Sequence, residues 1–206
     1  MSVVIVDYDV GNLRSVQKAL EKVGVDAVIS RRPNQIASAD AVVLPGVGAF
    51  AECMGNLRKY GLVEVVRDAA RGRRPFLGIC VGYQMLFESS EEFGDCHGFG
   101  VFKGKCVTFP KSGEDHHKIP HMGWNQVKYT RRDPLFAGTP DGSDFYFVHS
   151  FYPQPTEDIT LGATEYGVEF ASCASKGKVY GVQFHPEKSQ AVGLKVLENF
   201  AAMVRG

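Results

Sequence analysis

Long apolar runs are missing from this 206-residue chain: the longest stretches reach four or five residues, far short of the ~20 that cross a bilayer. The N-terminus, Met1-Ser2-Val3-Val4-Ile5-Val6-Asp7, has neither the basic flank nor the longer apolar stretch of a signal peptide, so a soluble cytoplasmic protein with no membrane partner is expected. An excess of one charge is missing too. Lys plus Arg number 23 and Asp plus Glu number 23, which leaves no net positive field to condense on a nucleic-acid backbone. A charged partner must be met by a local patch. No CxxC pair occurs, and five cysteines, an odd number at irregular spacing, predict reduced thiols rather than a disulfide framework. Repeats, linkers and low-complexity tracts are likewise absent. One domain spanning residues 1–206 is expected, with 44% hydrophobic residues to fill its core.

What is present in the first ninety residues alternates between two periods. Val3 to Val6, Asp26 to Ile29, Ala41 to Leu44 and Phe76 to Ile79 are short apolar runs that read as strands. Leu13, Val16, Leu20 and Val23 follow a helical period, and Leu57 to Ala70 reads as one helix with Leu62, Val65, Val66 and Ala69 on one face. Strands apolar throughout, separated by helices, predict a parallel sheet covered on both faces. Beyond Glu88, strands outnumber helices: Val101 to Phe109, Trp124 to Tyr129, Phe145 to Phe151, Leu161 to Tyr166, Phe170 to Ala174 and Val179 to Phe184. Lys111 to Pro120 reads as an exposed loop. Ser189 to Val204 closes the chain as an amphipathic helix offering Ala191, Leu194, Val196, Leu197, Phe200 and Val204 for burial.

Chemistry concentrates in two segments. Gly78-Ile79-Cys80-Val81-Gly82 follows a buried run and has the form of a nucleophile elbow, with sulfur in place of a serine oxygen. Such a turn projects Cys80 from the sheet's end, where a helix N-terminus favours the thiolate and the Val81 amide can face a developing oxyanion. The bland alternative is a buried structural cysteine between turn glycines. Gln183-Phe184-His185-Pro186-Glu187 offers a base and an orienter. In a parallel sheet His185 reaches the same edge as Cys80, and Glu187 lies two residues on along an extended segment. Read without Cys80, this is a surface His-Pro turn; read with it, a triad. Pro45-Gly46-Val47-Gly48 with Ala51 matches a dinucleotide fingerprint, but in the wrong βα unit, and a Gly-rich backbone suits an oxyanion site equally well. His97, His116, His117 and His121 show no recurring ligand spacing and read as loop residues rather than metal ligands.

These segments together resemble the class I (triad) glutamine amidotransferases. Asp7-Tyr8 with Gly11-Asn12-Leu13, Pro45-Gly46-Val47-Gly48, Pro120-His121-Met122-Gly123-Trp124-Asn125, Val148-His149-Ser150 and His185-Pro186-Glu187-Lys188-Ser189 resemble, within that family, the glutaminase subunits of imidazole glycerol phosphate synthases. Phe151 stands where many relatives carry tyrosine, and Asp9 where many carry glycine. The resemblance implies a flavodoxin-like open, mixed and mainly parallel sheet with helices on both faces. It implies Cys80 as nucleophile, His185 as general base then acid, and Glu187 as orienter, with no cofactor. Val47, Gly48 and Val81 would supply oxyanion amides, and Gly46, Gln84, Ser150 and Phe151 would line the glutamine site. The implied partner is a cyclase subunit with a (β/α)8 barrel, which takes the ammonia to make imidazole glycerol phosphate and an aminoimidazole-carboxamide ribotide. His121, Met122, Trp124, Asn125 and Lys188 would face it. Trp124, the one tryptophan, reads from its strand position alone as core. Two rivals share the pattern: the glutaminase subunit of another synthase, such as pyridoxal phosphate synthase, and a non-catalytic glutaminase-like scaffold, which is expected to lack part of the triad.

Overall fold

In the computed structural model, which describes residues 2–94, 96–110 and 118–205, the first half of the chain alternates strand and helix. It runs β1 (Val3–Val6), α1 (Leu13–Lys22), β2 (Ala27–Ser30), α2 (Pro33–Ser38), β3 (Ala41–Gly46), α3 (Phe50–Lys59), α4 (Val63–Arg71), β4 (Phe76–Cys80) and the single turn α5 (Val81–Gln84). Every residue of β1, β3 and β4 is buried, as continuous apolar strands covered on both faces must be.

The second half carries β5 (Ser89–Ser90), β6 (Cys96–His97), β7 (Gly104–Thr108), β8 (His121–Tyr129), β9 (Ser143–His149), β10 (Phe151–Pro155), β11 (Thr160–Glu165), β12 (Glu169–Lys176) and β13 (Val179–Val182), then α6 (Gln190–Arg205). Nine strands form one sheet in the order β2-β1-β3-β4-β13-β12-β11-β8-β9. The first five are parallel and the rest are added antiparallel. Four short strands, β10-β7-β5-β6, make a second sheet. Because β1 to β2 crosses one way and β2 to β3 to β4 the other, right-handed crossovers put α1 on one face and α2, α3 and α4 on the opposite one. The packing agrees, since α1 meets α6 while α2 meets α4, and α3 meets α4 and α5. The open edge at the C-terminal ends of the parallel strands is where such a sheet holds its ligand.

The expected helix over Leu57 to Ala70 is two helices. Gly61 sits at φ 65°; its N–H donates to Arg58 O (3.0 Å) and the Leu62 N–H to Leu57 O (2.8 Å). This pair of bonds caps the end of α3 before α4 begins. The expected strand over Phe145 to Phe151 divides at Ser150, where the chain leaves the nine-stranded sheet for the second one. The expected strand over Val101 to Phe109 narrows to Gly104–Thr108. In α6, Val196, Leu197 and Phe200 are buried as expected, Leu194 and Val204 are partly buried, and Ala191 is exposed. Of the expected loop, residues 111–117 lie outside the described residues. All five cysteines are free thiols.

Candidate active site

Cys80 ends β4 and begins α5 at φ 55°, ψ −112°, a conformation that a residue with a side chain adopts only when its surroundings impose it. The flanking glycines show what imposes it. A Cβ on Gly82 would stand 1.8 Å from the Leu44 carbonyl oxygen of β3, and one on Gly78 2.6 Å from the Gly82 carbonyl oxygen. Strand and helix therefore approach more closely than any larger residue allows, and Cys80 is held at the sheet's C-terminal edge.

β13 pairs with β4 in parallel, Val182 opposite Ile79, which brings His185 to the same edge as Cys80 across a sequence gap of 185 − 80 = 105 residues. The backbone N–H of His185 donates to Tyr146 O (2.9 Å), and its carbonyl accepts from the Ser189 hydroxyl (2.7 Å). Its Nδ1 meets Glu187 Oε1 at 2.8 Å, with both side chains almost fully buried, at 2% and 1% exposure. Glu187 arrives by a route different from the expected extended segment: Pro186–Lys188 is a 3-10 turn, which Pro186 starts by fixing its own φ. A carboxylate on Nδ1 orients the ring and leaves Nε2 for chemistry. Burial disfavours the imidazolium, but Cys80 and Glu187 outweigh it and raise His185 from 6.5 to about 10. The Cys80 thiol stands 3.8 Å from Val148 O and 3.7 Å from Gln183 Nε2.

A cavity of about 330 Å³ opens over Cys80. Of the residues expected there, Val47, Gly48, Val81, Gln84, Ser150, Phe151 and His185 line it. Gly46 lies beneath, opposite Cys80 in the β3–β4 register, where a Cβ would come within 3 Å of Gly82 N and the Tyr8 hydroxyl. Gln84 is less free than expected: its Nε2 donates to Phe151 O (2.8 Å) and to Gln183 Oε1 (3.1 Å). Glu92, Pro120, Val148 and His149 also line the cavity, and sequence reasoning assigned no role in the pocket to any of them. Glu92 lies in the turn between β5 and β6. Its Oε2 accepts from the Phe50 N–H at 2.7 Å and so fills the N-terminus of α3, the place a dinucleotide's pyrophosphate would need. The Pro45 to Gly48 segment faces Cys80 instead.

β8 alternates between buried and exposed positions, so its outer face is wet. Met122 (62% exposed) and Trp124 (49%) stand on that face, which removes Trp124 from the core. The Trp124 and Tyr146 rings meet edge to face at 6.0 Å, and Lys188 Nζ lies 5.8 Å over the Tyr146 ring. His121 and Asn125, grouped with these as partner-facing, turn inward: His121 is buried against His149, and Asn125 bonds to Glu165 O. Nor are His97 and His121 loop residues, since they lie in β6 and β8; His116 and His117 lie outside the described residues. Asp9 holds φ 63°, with its carboxylate bound by Arg31 and Tyr60. That left-handed conformation is one glycine adopts freely and aspartate tolerates. Among the described residues no three or more His, Cys, Asp or Glu side chains are grouped so as to hold a metal ion.

The model of the class-I glutamine amidotransferase family matches residues 4–204. The chain is 50% identical over 205 residues to the imidazole glycerol phosphate synthase subunit HisH of Geobacter sulfurreducens, covering 98% of both chains. It is 48% identical over 203 residues to the HisH subunit of Methanosarcina acetivorans, again with 98% of each chain covered. Among solved structures it resembles a glutamine amidotransferase at TM-score 0.74 and 18% identity, covering 98% of this chain and 99% of that one. It also resembles PurLQS from Thermotoga maritima, at 0.71 and 16%, covering 99% and 97%. A buried Cys, His and Glu at one sheet edge and full-length similarity of this degree lead to one conclusion: the chain belongs to the class-I glutamine amidotransferase family and, within it, to the HisH subunits of imidazole glycerol phosphate synthase.

Proposed function

We propose that the chain hydrolyses glutamine through Cys80, His185 and Glu187 and delivers the ammonia to a cyclase subunit with a (β/α)8 barrel. The observation that carries this reading is the juxtaposition of an elbow-held Cys80 with a His185 whose Nδ1 is fixed by buried Glu187, both facing one cavity. The Cys80 sulfur attacks the side-chain amide carbon of glutamine while His185, raised to about 10 and so protonated at neutral pH, holds the proton that the leaving nitrogen needs. The C–N bond then breaks as His185 gives that proton to the leaving nitrogen, producing ammonia and a γ-glutamyl thioester. Water, giving a proton to the now neutral His185, cleaves the C–S bond, releasing glutamate and restoring the Cys80–His185 pair. The Val81 amide, with those of Val47 and Gly48, meets the charge that develops on the oxygen. Gly46 gives this strand its close approach to the elbow. Gln84 and the Ser150–Phe151 turn shape the glutamine site. Glu92, the carboxylate lining the cavity, faces the substrate's ammonium group.

The surroundings of the mouth support a docked partner. Val47, Phe93, Ile119, Met122 and Trp124 are exposed apolar residues, each in the cavity wall, in its flanking loops or on the neighbouring β8 face. Lys188 adds a positive charge there. His121 and Asn125 support the docking strand from inside. A sealed mouth keeps ammonia out of bulk water, where it would be protonated and lost. The test is division of labour: Cys80→Ala should abolish glutamine-dependent synthesis by the complex and leave its ammonia-dependent synthesis intact. Retained glutamine hydrolysis in that variant would refute the nucleophile.

A further inference from the structure

We infer that His149 is a positioning residue: with His121 and Asn125 it forms a one-way, uncharged hydrogen-bond chain from the outer strand β8 to the Phe151 carbonyl, fixing the Ser150–Phe151 turn at the pocket. Its effect on glutamine rests on the function proposed above; the chain of bonds does not.

Both ends of the chain have a fixed polarity. Asn125 Nδ2 donates to Glu165 O (2.9 Å) while its Oδ1 accepts from the Gln126 N–H (2.8 Å), so the amide cannot be turned round. Nδ2 is therefore what faces His121 Nε2, at 3.2 Å, and that nitrogen carries no proton. At the other end the Phe151 carbonyl can only accept, so His149 Nδ1, 2.9 Å away, carries the hydrogen. Between them His121 Nδ1 and His149 Nε2 stand 2.9 Å apart. One hydrogen fits that gap. A neutral His149 has already used its proton on Phe151, so His121 donates and His149 accepts. Each junction then holds one hydrogen, and both rings are neutral with the proton on Nδ1.

The surroundings enforce this. The Phe147 and Tyr166 rings stack on His121 with centroids at 4.8 and 4.0 Å, and Phe109 and Phe170 close on His149 at 5.3 and 5.2 Å. Beneath these rings both His149 nitrogens are satisfied, by His121 and by the Phe151 carbonyl. Burial pushes His149 down to about 3. The consequence falls on the pocket. The Phe151 carbonyl receives two donors, His149 Nδ1 and Gln84 Nε2, at the point where the chain crosses from one sheet to the other. Its peptide cannot rotate without losing both. The far end is anchored beside Trp124, on the strand that presents the docking face.

Two measurements on the full chain test this. With 15N-labelled histidine, two-bond nitrogen–proton correlation spectra near neutral pH should show His121 and His149 neutral, with the proton on Nδ1 and none on Nε2. An Nε2–H form or an imidazolium at either ring would overturn the chain. In the complex with the cyclase, His149→Gln keeps a group at the Nε2 position and removes the donor to Phe151, whereas His149→Asn keeps a donor at the Nδ1 position. His149→Gln should raise KM for glutamine about tenfold, the worth of one hydrogen bond to a properly placed carbonyl, with kcat changed much less. His149→Asn should recover most of that loss. Equal impairment of both variants, or a fall in kcat at unchanged KM, would reduce His149 to a packing residue. A wild-type complex inactive on glutamine would count against the proposed function alone, because the spectra do not depend on turnover.

Discussion

His185 holds its proton because two neighbours, Cys80 and Glu187, outweigh the cost of burying its charge. A group whose folded pKa is raised stabilises the fold fully below its unfolded value, near 6.5, and loses that contribution as pH climbs through the folded value of about 10. Thermal melts of the isolated chain should therefore show a larger fall in Tm between pH 6.5 and 10 for wild type than for Glu187→Gln. Parallel curves would mean that the ion pair does not govern the ring. The same substitution should lower kcat for glutamine by about 10²-fold or more, since an unoriented imidazole is a poor base. The proposed triad can be put forward from the sequence because glycine spacing and a His-Pro-Glu run carry local geometry. Glu92 and His149 cannot, because their meaning comes from partners 42 and 28 positions away, Phe50 and His121. Glu187 reaches His185 by a route the sequence does not suggest, a 3-10 turn and not an extended strand.

The strand-to-helix turn after β4 is the element on which the site depends, and its glycines make that measurable. Gly82→Ala drives a methyl group into the Leu44 carbonyl of the neighbouring strand. It should cost about 3 kcal/mol, or prevent folding, as overpacking against a backbone that cannot move does. Gly55, exposed within α3, has nothing near a Cβ, so Gly55→Ala should stabilise by about 1 kcal/mol through helix propensity. Denaturant unfolding of both variants checks the pair. Equal effects would show that the close approach is not required. The parallel core and the last helix were readable from apolar runs and period. What was not readable was short or contradictory: α2 has little more than one turn, β5 and β6 have two residues each, and β10 contains Pro153 and Pro155, which speak against a strand. Those prolines are tolerated in an edge strand of the small sheet.

For the whole molecule, the cavity over Cys80 lies at an edge rimmed by exposed apolar side chains, and the segment proposed to supply oxyanion amides contains Gly48 at φ 89°. A backbone of this kind can change its rest conformation when a partner docks. The isolated chain should consequently be a poor glutaminase and gain activity in the complex with acceptor substrate bound; equal rates would exclude such coupling. Trp124→Ala should weaken the complex by about 2 kcal/mol, as loss of a central aromatic does, without lowering Tm, because Trp124 is half exposed. Titration calorimetry and a melt of the variant alone separate the two effects. Lys188→Ala should act mainly on association rate and its salt dependence.

Quenching the wild-type complex during glutamine turnover and locating the acyl group by peptide mass spectrometry decides whether Cys80 is the nucleophile. One glutamyl group in thioester linkage is expected on the peptide containing Cys80, and none when Cys80→Ala is treated the same way. Glutamine turnover with the acyl group on Cys53, Cys96, Cys106 or Cys173, or sustained turnover by Cys80→Ala, would contradict it.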